Sequence, residues 1–129
     1  MSRIVIVDDE PGIRRSLRAV LARAGYDVHE AADGLEGQRL CRELDPDLVI
    51  TDIQMPGPDG IQTIAALRAW APGLPIIAIS GGDQTVRLGV LSSAGLVGAV
   101  TTLRKPFSVA EVLAAVAAAL PTQHSQRSG

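Results

Sequence analysis

The sequence predicts an α/β domain: a doubly wound, five-stranded parallel sheet with five helices on its two faces. Three observations lead there. Short apolar, β-branched runs alternate strictly with segments of helical period. The strongest runs lack polar alternation, as strands covered on both faces do. Each of these runs stops abruptly at acidic, hydroxyl or glycine residues.

The elements follow in order. Residues 3 to 7 (RIVIV) form a first strand. Pro11 suits the first position of a helix. Ile13, Leu17, Val20, Leu21 and Ala24 make one stripe along that helix, and Gly25 closes it. Residues 27 to 31 (DVHEA) read as a weaker strand at a sheet edge. Residues 34 to 44 carry Leu35, Leu40, Cys41 and Leu44 roughly on one side of a second helix. Residues 48 to 51 (LVIT) form a third strand. A helix over 59 to 70 follows a DG turn. Residues 76 to 79 (IIAI) form a fourth strand, 84 to 94 a less regular helix, and 99 to 103 (AVTTL) a fifth strand. The last helix, 108 to 120, opens with Ser108 as N-cap and Glu111 three residues on, a capping box. Pro121 stops it. Residues 2 to 120 make one domain, and the polar tail 121 to 129 reads as disordered.

Composition narrows the function. A chain of 129 residues with 47% hydrophobic residues buries a sizeable core, about two-thirds of its unfolded surface. A net charge of −2 argues against a basic face for direct nucleic-acid binding. Apolar runs are broken too often for a membrane span. The N-terminus turns acidic too early for a signal peptide. The single Cys41 rules out an internal disulfide and a cysteine-based zinc site, and fits a cytoplasmic location.

In doubly wound sheets ligands bind beyond the carboxyl ends of the strands. Those ends carry the chemistry here. The first strand ends in Asp8, Asp9 and Glu10, the third in Asp52, the fourth in Ser80, the fifth in Arg104 and Lys105. Singly, each reads as a cap, a turn residue or a solvated charge. Together they bring three aspartates (Asp8, Asp9 and Asp52), a hydroxyl and an ammonium to one rim. Two unit charges at 4 Å repel by roughly 4 kcal/mol at an effective dielectric near 20. Such crowding needs a cation or a proton. All-oxygen donors favour a hard cation, foremost Mg²⁺. Lys105 is the only lysine beside eleven arginines, which marks a place for a compact ammonium. The residues alone describe a carboxylate-plus-metal site for a phosphoryl group, and leave open which aspartate attacks.

At these residues the sequence resembles the receiver domain of two-component response regulators. IVIVDDEPGIRRSL resembles its first strand, acidic pair and first helix, and LVITDIQMPGPDG its phosphoacceptor strand and following loop. IIAISGG and LRKPF resemble its fourth and fifth strands. The resemblance spans about residues 2 to 120 and implies a flavodoxin-like sheet of order 2-1-3-4-5. It implies Asp52 as phosphoacceptor, Asp9 as direct Mg²⁺ ligand, Asp8 acting through a metal-bound water, and the Gln54 backbone carbonyl as a further ligand. Ser80 and Lys105 would hold the phosphoryl group, and the Lys105–Pro106 bond would be cis. The donor would be a sensor histidine kinase or a histidine phosphotransfer protein, and the output a contact with an unknown downstream protein. Such a domain catalyses only its own phosphorylation and dephosphorylation and is not otherwise an enzyme.

Two departures stand out. The family usually carries Tyr or Phe three residues before the lysine, as a conformational switch; here that position is Thr102. Residues 80 to 98 run about three residues longer than usual and are glycine-rich. The expected function is a stand-alone receiver. The alternatives are a small Mg²⁺-dependent phosphatase working through an aspartyl-phosphate, or a receiver excised from a longer regulator or hybrid kinase. The last helix, VAEVLAAVAAAL, is apolar on nearly every side; it reads as a buried alanine-rich helix, or else as a partner or dimer surface.

Overall fold

In the computed structural model, residues 2–53, 60–80 and 101–120 are described. Their elements are β1 (Arg3–Val7), α1 (Pro11–Arg23), β2 (Asp27–Ala31), α2 (Gly34–Leu44), β3 (Leu48–Asp52), α3 (Gly60–Trp70), β4 (Ile76–Ser80), β5 (Thr101–Arg104) and α4 (Val109–Ala119). The sheet is parallel throughout and its order is β2-β1-β3-β4-β5, as expected. Four helices fall among the described residues. The helix expected over 84 to 94 lies outside them, as does the tail.

Strand alternation divides the core in two. Val5 and Val7 face one side with Val49 and Ala78, where they meet Cys41 of α2 and Ile61, Ile64 and Leu67 of α3. Ile4 and Ile6 face the other side with Ile50, Ile77 and Ile79, against Leu17 and Leu21 of α1 and Val112 and Val116 of α4. Every residue of β3 and β4 is buried. That is why these strands read as unbroken apolar runs.

Local chemistry fixes the ends. The Gly25 backbone has φ of +100°, a left-handed turn from α1 into β2 that L side chains rarely adopt. Asp33 caps α2 by accepting the Glu36 N–H, while the Glu36 carboxylate accepts the Ala32 N–H. Ser108 and Glu111 form the expected capping box at the start of α4. Cys41 is fully buried, and burial pushes its thiol up to about 12, so it packs as an inert apolar residue.

One side chain of α2 differs from the periodicity reading. Leu35 points outward, 63% exposed, while Cys41, Leu40 and Leu44 pack on the core as expected and Gly34 and Gly37 are buried beside them. Its helix comes so close that a Cβ on Gly37 would lie 2.6 Å from Val7 Cγ2. On α4, Val112 and Val116 are buried and Ala115 and Ala119 pack beside them, while Val109, Ala114, Ala117 and Ala118 are exposed, so the helix is an alanine-rich one with one covered face. Between α1 and α4 runs a groove of about 250 Å³ lined by Ile13, Leu17, Val20, Phe107 and Val112.

The Gly37 contact yields a prediction. Gly37→Ala gains about 1 kcal/mol in helix propensity but forces apart a fully packed contact at a cost of about 1–3 kcal/mol. The expected outcome is a net loss of about 1 kcal/mol in urea unfolding. A more stable variant would show that α2 yields at no cost.

Candidate functional site

The strand order reverses between β1 and β3: the chain leaves β1 for β2, then returns to the other side of β1. A crevice opens at that switch, and the ends of β1 and β3 line it. Val7 pairs with Thr51, so Asp8 and Asp52 are the next residues beyond a paired rung. β4 lies beside β3, and β5 beside β4 with Ser80 opposite Arg104. The Lys105 N–H donates to the Ser80 carbonyl at 2.9 Å, which extends the ladder by one residue. The Lys105–Pro106 peptide is cis.

Asp8, Asp52 and Ser80 are almost completely buried. Lys105 Nζ stands 3.4 Å from Asp52 Oδ2 and 4.0 Å from Glu10 Oε1. Carboxylate oxygens of Asp8, Glu10 and Asp52 lie within 4.8 Å of one another. Asp8 Oδ1 accepts the Glu10 N–H at 2.9 Å, a local turn contact. Asp8 Oδ2 is buried and has no hydrogen-bond partner among the described residues. A buried, unpartnered carboxylate oxygen beside two further carboxylates is what a hard cation completes. The residues present therefore fit a divalent metal ion.

Electrostatics agree. Burial pushes the Asp8 carboxyl up to about 6 from its ordinary 3.8; the Glu10 N–H opposes this, the Asp52 charge adds to it, Lys105 opposes, and Asp9 adds. Behind the site, Arg14 donates to the Asp8 carbonyl at 2.7 Å and to Glu30 at 3.0 Å. Arg18 reaches the other Glu30 oxygen at 2.8 Å. Arg18, and Arg14 beside it, hold the Glu30 carboxyl below its usual range against the effect of burial. This clamp fastens α1 and β2 to the turn that carries the acidic residues.

The structure thus brings together Asp8, Asp52, Ser80 and Lys105. Asp9 is exposed, and its carboxylate stands outside the group of converging oxygens. Glu10 takes part although it had no role in the sequence reading. Its place follows from the turn after β1, in which the Glu10 N–H donates to Asp8 Oδ1 at 2.9 Å, a geometry that the residue order does not announce. Thr102 sits on β5 opposite Ala78 with its side chain exposed. Gln54 lies outside the described residues.

A carboxylate cluster with a lysine thus lies at the switch point of a 2-1-3-4-5 parallel sheet, a flavodoxin-like fold. The family model for the response regulator receiver domain matches residues 4–117. The chain belongs to the response regulator receiver family. It is 39% identical over 119 residues to the response regulator MprA of Mycobacterium sp. (strain KMS), covering 92% of this chain and 50% of that protein. The chain thus spans half the length of that relative. It is 33% identical to sporulation initiation phosphotransferase F of Bacillus subtilis, covering 92% of this chain and 94% of the other. The chemotaxis protein CheY4 of Vibrio cholerae superposes with a TM-score of 0.85 at 30% identity, over 93% of this chain and 99% of that one. No helix among the described residues is long and apolar enough to cross a membrane.

Asp8 makes the metal-free fold pH-sensitive. The gap between 3.8 and about 6 corresponds to roughly 3 kcal/mol of destabilisation while the carboxylate is ionised. Because the folded-state value is raised, this penalty is full at pH above about 6, shrinks as pH falls from 6 to 4, and is absent below. Asp8→Asn should therefore stabilise the protein in EDTA by about 1–3 kcal/mol near pH 7.5, and by almost nothing near pH 4. Urea unfolding at the two pH values measures this. Equal effects at both would show that the buried charge is compensated.

Proposed function

We propose that this domain accepts a phosphoryl group on Asp52 from a phosphohistidine donor, in a Mg²⁺-dependent reaction, and signals by changing its contacts with another protein. The observation that carries the reading is the position of Lys105 Nζ, 3.4 Å from the buried Asp52 carboxylate, with Asp8 alongside. Membership of the receiver family, and the likeness to a protein named as a phosphotransferase, support it.

Each residue has a role in the transfer. An Asp52 carboxylate oxygen attacks the phosphorus; the O–P bond forms, the P–N bond of the donor breaks, and the departing imidazole takes up a proton. Burial strips water from the attacking oxygen, so its position is set by the end of β3 rather than by solvent. Lys105 pairs with the incoming oxygens and offsets their charge. Ser80, buried at the end of β4, would donate its hydroxyl to the same group. Asp8 and Asp52 would hold the metal, joined on the family pattern by Asp9 and the Gln54 carbonyl. Bound Mg²⁺ would supply charge neutralisation for the phosphoryl oxygens. The donor would be a sensor histidine kinase or a histidine phosphotransfer protein in the cytoplasm.

The product differs from the starting state mainly in charge. A phosphoryl group carries about −1.5 to −2 where the carboxylate carried −1. Lys105 and Ser80 are tied to the ends of β5 and β4, so a pull on them moves those strand ends and shifts a population of surface arrangements. With Thr102 where an aromatic rotamer usually reports the state, the proposed route to the surface runs through backbone at Ser80 and Lys105.

Incubation with acetyl phosphate and Mg²⁺ tests the acceptor by intact mass. The wild type should gain one PO₃ unit and Asp52→Asn none, while omission of Mg²⁺ should suppress the gain. A gain surviving Asp52→Asn would overturn the assignment.

A further inference from the structure

Glu10 is the residue of this site that the family pattern leaves without a role. Its carboxylate sits within 4.8 Å of carboxylate oxygens of both Asp8 and Asp52, and 4.0 Å from Lys105 Nζ. Lys105 therefore stands between two anions, one buried and one exposed: the Asp52 side chain is 3% exposed and that of Glu10 61%. The orphaned, buried Asp8 Oδ2 shows independently that this pocket is built for a cation it must receive from solvent. Glu10 is the carboxylate on the solvent side of that pocket. The Glu10 N–H bond to Asp8 Oδ1 ties the backbone of residue 10 to the same pocket.

We propose that Glu10 is a positioning residue that trades one step of the reaction against another: its charge draws the divalent metal in, and the same charge resists the phosphoryl group. Before phosphorylation it shares Lys105 with Asp52 and adds an anion to the metal pocket. Once a phosphoryl group adds negative charge at Asp52, Glu10 repels that group and competes with it for the Lys105 ammonium. The inference rests on Asp52 being the acceptor.

The two halves predict opposite signs, which a merely structural residue would not give. Glu10→Gln removes the charge and keeps the shape. It should weaken Mg²⁺ binding to the otherwise unliganded protein about three- to tenfold, the range for an exposed carboxylate acting on a divalent ion. At saturating Mg²⁺ it should tighten beryllofluoride, a stand-in for the phosphoryl group on Asp52, about two- to fivefold. Glu10→Asp should keep the charge and fall between wild type and Glu10→Gln in both. Calorimetry reads the first quantity and fluorine NMR the second. Unchanged affinities, or changes of the same sign in both, would overturn the proposal. Asp52→Asn run in parallel separates the two readings: if it still binds beryllofluoride, the acceptor assignment fails; if it loses binding while Glu10→Gln behaves as wild type, only the role of Glu10 fails.

Discussion

Repulsion among carboxylates that the backbone will not let separate is the constraint on which this molecule turns. Asp8 directly follows the buried run of β1 and Asp52 ends the buried run of β3, on neighbouring strands in fixed register. Neither can move without dragging a strand end out of a packed sheet. One ammonium, that of Lys105, offsets part of the charge. Burial, with the Asp52 charge added to it, leaves the Asp8 carboxyl raised and one of its oxygens unpartnered among the described residues. The site is thus held short of neutrality, and that shortfall is what the proposed divalent cation would offset.

The rest of the fold supplies the stability that this arrangement consumes. The two apolar layers are continuous, one under α1 and α4 and the other under α2 and α3. The Arg14–Glu30–Arg18 clamp lies on the side of β1 away from β3. It works with charges of opposite sign, in contrast to the site it braces. A depressed Glu30 carboxyl stabilises above its ordinary pKa and loses that effect as pH falls, whereas Asp8 behaves in the opposite sense. Acid therefore relaxes the functional pocket while loosening the brace behind it.

Much of this was legible in the residue order, for definite reasons. Strands buried on both faces announce themselves as β-branched runs, so β1, β3 and β4 were placed almost to the residue. Parallel strands send their chemistry to one rim, so Asp8, Asp52, Ser80 and Lys105 could be gathered before any coordinates. Helix periodicity misled at Leu35 because α2 also packs through glycines, whose contribution is the absence of a side chain and leaves no apolar mark. Glu10 was passed over because its place depends on the geometry of the turn after β1, which the acidic triplet DDE does not encode. The expected helix over 84 to 94 and the Gln54 carbonyl lie outside the described residues.

Lys105 has one more consequence. It is the chain's sole ε-amino group, 30% exposed, set between Asp52 and Glu10. An acyl donor that modifies lysine side chains has no harmless surface position to consume it first. Acylation here would erase the ammonium that stands against the Asp52 and Glu10 carboxylates. Acylation of a lysine side chain in this protein is therefore always acylation of this pocket, because the other cationic side chains are arginines.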